Sequence, residues 1–140
     1  MEGSPLQLVS LVYTQIHVQP TAHAPASSEF DSLSLNCNVG FGELPDQGDD
    51  PRDYTVEVRL WVSDEQVREH RFPYHLDMGA RGHFRIAPGL DASRRKTIVE
   101  INGASLLVGA IRDMVTTLTA RSVHGPVTLP TLRFIPESEE

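Results

Sequence analysis

His17, His23, His70, His75, His83 and His124, the single Cys37, the single Trp61 and the loop aromatic Phe30 are the residues whose chemistry could go beyond charge and packing. Metal binding needs three or four convergent ligands, and among the histidines only His75 and His83 share one stretch of chain, so no spacing recommends a site. One cysteine excludes an intrachain disulfide and a zinc–thiolate cluster. Cys37 falls on the inward side of an alternating segment, where a small apolar role outweighs a nucleophilic one. The sequence lacks a Walker loop, a dinucleotide fingerprint, Gly-x-Ser-x-Gly and His-Glu-x-x-His. Arg112 and Asp113 read as a solvated pair on a helix. No base, nucleophile and oxyanion site assemble, so the expectation is a binding protein without metal or cofactor, not an enzyme.

Two aromatics raise a different possibility. Trp61 stands on the polar side of a strand between Arg59 and Ser63. It is either half-covered by a loop or a second copy, or a platform for a peptide. Phe30, between Glu29 and Asp31, either plugs the core or lines a groove. With Phe41, at the end of an alternating run, they are the candidate contacts for an extended apolar ligand.

The elements that must position these residues are read from periodicity. Leu33, Leu35, Cys37, Val39 and Phe41 alternate with polar or small residues, as do Tyr54, Val56, Val58, Leu60 and Val62. A period of two gives one buried and one wetter face, which argues an antiparallel sheet. Leu6–Val18 is a first strand whose pattern slips at Val9 and Leu11-Val12, as a bulge or burial on both faces would make it. Pro20–Ser28 is longer than a hairpin turn, Glu43–Arg52 is a loop by composition, and Ser63-Asp64-Glu65-Gln66 reads as a tight link to a fourth strand. That strand carries Phe72, Tyr74, Leu76 and Met78, is expected to bulge or bend at Gly79–Gly82, and resumes with Phe84 and Ile86.

One helix follows, expected from an Asn102 N-cap to about Thr119. Leu106, Leu107, Val108, Ala110, Ile111, Met114, Val115 and Leu118 occupy an arc of roughly 200° at 100° per residue, about twice what one sheet covers. Leaving half of them wet forgoes burial of roughly 1.5–3 kcal/mol per large side chain, so a second copy of the chain is the economical cover. The expected interface is Leu106, Leu107, Ala110, Ile111, Met114, Val115 and Leu118. Beyond the helix, Gly125–Phe134 is extended, and its two prolines keep it off a central strand. It is expected to lay Val127, Leu129, Leu132 and Phe134 on the core. The fold class is α+β: a four-stranded antiparallel sheet with one long helix on one face, self-associating through the helix. Residues 1–136 form a single domain, and 137–140 form an acidic tail without fixed structure.

Composition narrows the partners. The net charge is −7, with one base against nine acids through Val58 and eleven bases against ten acids from Arg59 onward. This disfavours nucleic acid and suggests a solvated acidic loop and edge, with steering of a basic partner as the sharper alternative. No apolar run approaches the ~20 residues of a membrane helix, and the residues from Met1 to Pro5 lack the basic lead of a secretory signal. A cytoplasmic, reducing setting is expected.

The stretch Asn102–Phe134, a long helix with an internal Arg, a Ser/Thr-rich turn, and then a Gly and a Leu/Pro/Phe segment, resembles the SecB family of export chaperones. Val12-Tyr13-Thr14 is similar to the aromatic-Thr step of that family's first strand, and Gly82-His83-Phe84-Arg85-Ile86 to the segment closing its fourth. The resemblance implies dimers of dimers that hold unfolded precursor chains without nucleotide for export. Phe30 then falls where the family carries a groove-lining aromatic. Two features depart from the family. Its members continue past the Phe134 position into a second helix and often a tail that docks the SecA motor, whereas this sequence ends at Glu140. Its SecA-contacting acids correspond approximately to Gln15 and Gln19. The implied function is an ATP-independent holdase for unfolded polypeptides, export precursors among them, with SecA as a conditional partner. The alternatives are a SecB-like chaperone or scaffold dedicated to one partner, such as an antitoxin, and a ligand-binding module without chaperone activity.

Overall fold

The alternating residues Tyr54, Val56, Val58, Leu60 and Val62 all point to one side of the sheet, and all five are buried. Tyr74, Leu76, Met78, Ala80, Phe84 and Ile86 of the neighbouring strand complete the same floor. The computed structural model describes residues 3–23, 35–132 and 134. Their elements are β1 (Leu6–Pro20), β2 (Asn36–Glu43), β3 (Asp53–Trp61), α1 (Asp64–His70), β4 (Tyr74–Ile86) and α2 (Ala92–Thr119). The sheet order is β1-β4-β3-β2, antiparallel throughout. Strands β1 and β2 are consecutive in sequence yet stand at opposite edges, which is why no hairpin turn joins them.

Three expectations about the elements need correction. The link after β3 is not merely tight: it is the helix α1. Ser63 Oγ accepts from the Gln66 backbone N–H at 3.2 Å, and Gln66 Oε1 accepts from the Ser63 N–H at 2.8 Å, a reciprocal cap that starts a helix. Strand β4 pairs with β3 without a slip through its glycines, and the bulges sit opposite it in β1, whose register slips between Leu8 and Ser10 and between Tyr13 and Gln15. The first slip lies at Val9, where the pattern breaks in sequence. The glycines serve close approach instead: a Cβ on Gly79 would lie 2.5 Å from Thr14 Oγ1 in the second bulge, and one on Gly82 only 2.6 Å from the Phe84 ring.

The third correction concerns α2, which begins at Ala92 with Asp91 as N-cap, so Asn102 is an exposed residue inside it. The helix lies over β3, β4 and β1. Every fourth residue from Arg95 is buried: Arg95, Val99, Gly103, Leu107, Ile111, Val115 and Thr119. This i, i+4 ridge runs the whole helix, but its Arg, Gly and Thr members hide it from a search for apolar side chains.

As expected, the segment after α2 lies on the core, with Val127 and Leu129 buried and Leu132 and Phe134 partly so. Its prolines leave its backbone to be held by side chains. Thr119 Oγ1 accepts from Val127 N–H at 2.9 Å, Thr116 Oγ1 donates to Val127 O at 3.0 Å, and Arg112 Nε donates to Leu129 O at 3.0 Å. Arg112 is thus a strap anchor rather than a solvated charge.

Candidate binding groove

Helix α2 does not cover the whole floor. On β2, Cys37, Val39 and Phe41 pair with Leu60, Val58 and Val56 and therefore share their face, whereas Asn36, Asn38, Gly40 and Gly42 face away. The β3 partners are buried, while Val39 is 36% exposed and Cys37 and Phe41 are half-buried. An apolar strip thus runs along an edge strand that, among the described residues, is hydrogen-bonded on one side only. Partial burial pushes the Cys37 thiol above its ordinary pKa, in keeping with a packing role.

One end of the strip is held by a linked set of contacts. The Phe41 ring stacks on Tyr54 with centroids 5.4 Å apart and planes 26° apart, and Lys96 Nζ lies 5.9 Å from the Phe41 centroid. The Tyr54 hydroxyl donates to Pro51 O at 2.9 Å, and Arg95 Nη1 donates to the same carbonyl at 3.0 Å. Arg95 also pairs with Asp50 and donates from Nε to Leu90 O at 2.8 Å. The loop that presents Asp50 and Pro51 is stapled internally by Gln47. Its Nε2 donates to Leu44 O and Asp53 O, and its Oε1 accepts from the Arg52 and Asp53 N–H groups.

The arrangement offers apolar contact and a strand edge without a partner among the described residues, the ingredients for holding an extended segment by backbone pairing and side-chain packing. Among the described residues, no group of three or more His, Cys, Asp or Glu side chains could hold a metal, and no helix is long and apolar enough to cross a membrane.

Phe41 lies in this strip. Trp61 does not: it pairs with Asn36 on the opposite face of the sheet, under the Arg59 guanidinium at 4.2 Å from its ring centroid. Phe30 lies outside the described residues. The expected interface residues also divide. Leu107, Ile111 and Val115 are fully buried against the chain's own sheet, which removes them from any contact between folded copies. Leu106 and Leu118 remain exposed, with Ala110 and Met114 half-exposed between them, one row at four-residue spacing. That row lies on the β1 side, where the Tyr13 hydroxyl donates to Ala110 O at 3.0 Å, and Leu8 and Ile16 of β1 are exposed.

Tyr54 and Arg95 went unmarked by sequence reasoning as parts of the site. Tyr54 is legible only as an inward strand residue. Arg95 sits in the run Arg94-Arg95-Lys96, where no spacing singles out the buried member.

No protein-family model matches the sequence, and a search of curated proteins finds no match. Solved structures do resemble it. The Mycobacterium tuberculosis Rv1957 SecB-like chaperone, in complex with a ChAD peptide from the Rv1956 HigA1 antitoxin, is 20% identical with a TM-score of 0.54, covering 91% of each chain. A protein of unknown function from Streptococcus agalactiae is 14% identical with a TM-score of 0.61, covering 89% of this chain and 96% of that one.

Proposed function

We propose that this chain, which has a SecB-like fold, is an ATP-independent chaperone that holds an extended polypeptide segment along the inner face and free edge of β2. The observation that carries the reading is the apolar strip Cys37, Val39 and Phe41 left beside α2 on a strand that, among the described residues, is paired on one side only. Burial of client side chains supplies affinity, and backbone pairing supplies tolerance of sequence. The work is binding rather than catalysis, in the cytoplasm, where a lone unpaired cysteine is at home. Copies of the chain associate as dimers or tetramers through the Leu106–Leu118 row and β1.

A narrower version is favoured by one observation: the Mycobacterium tuberculosis neighbour is bound to a peptide from an antitoxin. In that version the groove serves one dedicated partner, and delivery to the export motor is no part of it.

The single cysteine makes a built-in test. Alkylation of Cys37 is followed with and without a reduced, carboxymethylated unfolded protein, alongside aggregation of a chemically denatured enzyme. Slower alkylation and suppressed aggregation at stoichiometric ratios, unchanged by ATP, are expected. Protection by a single partner and by no general client selects the dedicated version. Unchanged alkylation with every chain tried overturns the proposal.

A further inference from the structure

The geometry points to Arg95 as the positioning residue of this groove, an inference that rests on the binding role proposed for β2. Arg95 is the one buried charged side chain among the described residues, and its guanidinium reaches three separate places. It bonds Leu90 O at the entry to α2, Asp50 in the loop after β2, and Pro51 O, the carbonyl that the Tyr54 hydroxyl also takes. The Gln47 staple makes the Leu44–Asp53 loop move as a unit, so what fixes the loop to the helix fixes all of it. Tyr54 is the floor on which Phe41 stacks, and Nζ of Lys96, the residue after Arg95, stands 5.9 Å from the Phe41 centroid. Arg95 therefore sets the separation between the helix wall and the aromatic floor without itself lying in the strip. Planar, multi-acceptor bonding of this kind is a property of guanidinium that an ammonium cannot reproduce.

A double-mutant cycle tests this. Dissociation constants are measured by fluorescence anisotropy with a fluorescein-labelled peptide of a dozen residues alternating Val/Leu with Ser/Thr. The chains compared are wild type, Arg95→Met, Phe41→Ala and the double variant, with circular dichroism to report folding. Tyr54→Phe, which keeps the stacked ring and removes the hydroxyl's bond to Pro51 and its contact with Arg95, runs through the same cycle. Arg95→Met is expected to weaken binding about tenfold in the wild-type background and to change it little once Phe41 is gone, a coupling in the range seen for residues of one network. Tyr54→Phe is expected to give a smaller loss with the same dependence on Phe41. A merely structural Arg95 would give losses that multiply independently of Phe41, which overturns the inference, as does wild-type affinity in both Arg95→Met and Tyr54→Phe. Should Arg95→Met fail to fold, the Tyr54→Phe cycle decides by the same criterion. Loss in Phe41→Ala with no effect at Arg95 or Tyr54 leaves the groove standing and removes only the positioning role. A wild-type chain that ignores the peptide and leaves Cys37 unprotected removes both.

Discussion

At the scale of single residues, charge is organised across strands rather than along the sequence. The acids concentrated before Val58 look like a solvated run, yet Asp53 meets His83 at 2.8 Å and Arg85 at 3.0 Å, and Asp50 meets Arg95. Asp77 of β4 takes a two-point contact from Arg59 at 2.9 and 2.7 Å. The His83 hydrogen bond, aided by Arg85 and opposed by burial, holds the Asp53 carboxyl below the usual carboxylate range. The Arg59 hydrogen bond does the same for Asp77. A carboxylate with a lowered folded pKa stabilises the fold fully above its unfolded pKa near ~3.9, and that contribution is lost as pH falls through the folded value. Asp53→Asn should therefore flatten the acid limb of the melting temperature against pH, and adding Asp77→Asn should flatten it further. Thermal melts between about pH 6 and pH 2 check this; superimposable acid limbs would show that neither contact matters energetically.

At the scale of elements, the informative case is α2 with the strap that follows it. Alternation exposed β3 and β4 in sequence because each has one dry and one wet face. The helix was legible only where its apolar side chains crowd, from Ala104 on; its first turns are anchored by Arg95 and Val99, which carry no periodic signature. Helix α1 was available from the Ser63-Asp64-Glu65-Gln66 capping pattern but is short enough to pass for a turn. The strap depends on Thr119, which is fully buried, donates to Val115 O at 2.7 Å and accepts from Val127 N–H. Thr119→Val keeps the shape but leaves that N–H without its acceptor, at a cost of about 1–3 kcal/mol. A urea titration should place the variant's stability lower by that amount. No loss would mean that the strap does not rely on this bond.

At the scale of the whole molecule, two apolar surfaces lie at opposite edges of one sheet: β2 with its strip, and β1 with the outer row of α2. The width of the helix arc implied a second copy, but half of that arc is satisfied within the chain. The sheet takes Leu107, Ile111 and Val115, and Val108 is buried as well. What is left over is Leu106, Leu118 and the half-exposed Ala110 and Met114, beside Leu8 and Ile16. Light scattering of the wild type should give the mass of a dimer or tetramer. The exposed pair Leu106→Lys and Ile16→Lys should reduce it to one chain while leaving the melting temperature within a few degrees, as surface changes do. A wild type that already runs as a single chain would sink the self-association, though not the groove.

The sequence by itself determined the strands, the inward faces of β2, β3 and β4, the α+β class and the extended strap, because period-two alternation and proline placement act locally on the backbone. It also marked Phe41, Cys37 and Val39 as inward-facing. Only the tertiary structure decided which inward residues stay covered. That depends on how far α2 reaches across the sheet, a distance set by contacts between residues remote in sequence. The same contacts put Trp61 and Phe41 on opposite faces, parted Leu106 from Leu107, and drew Arg95 out of a run of like charges to bond the Asp50–Pro51 loop.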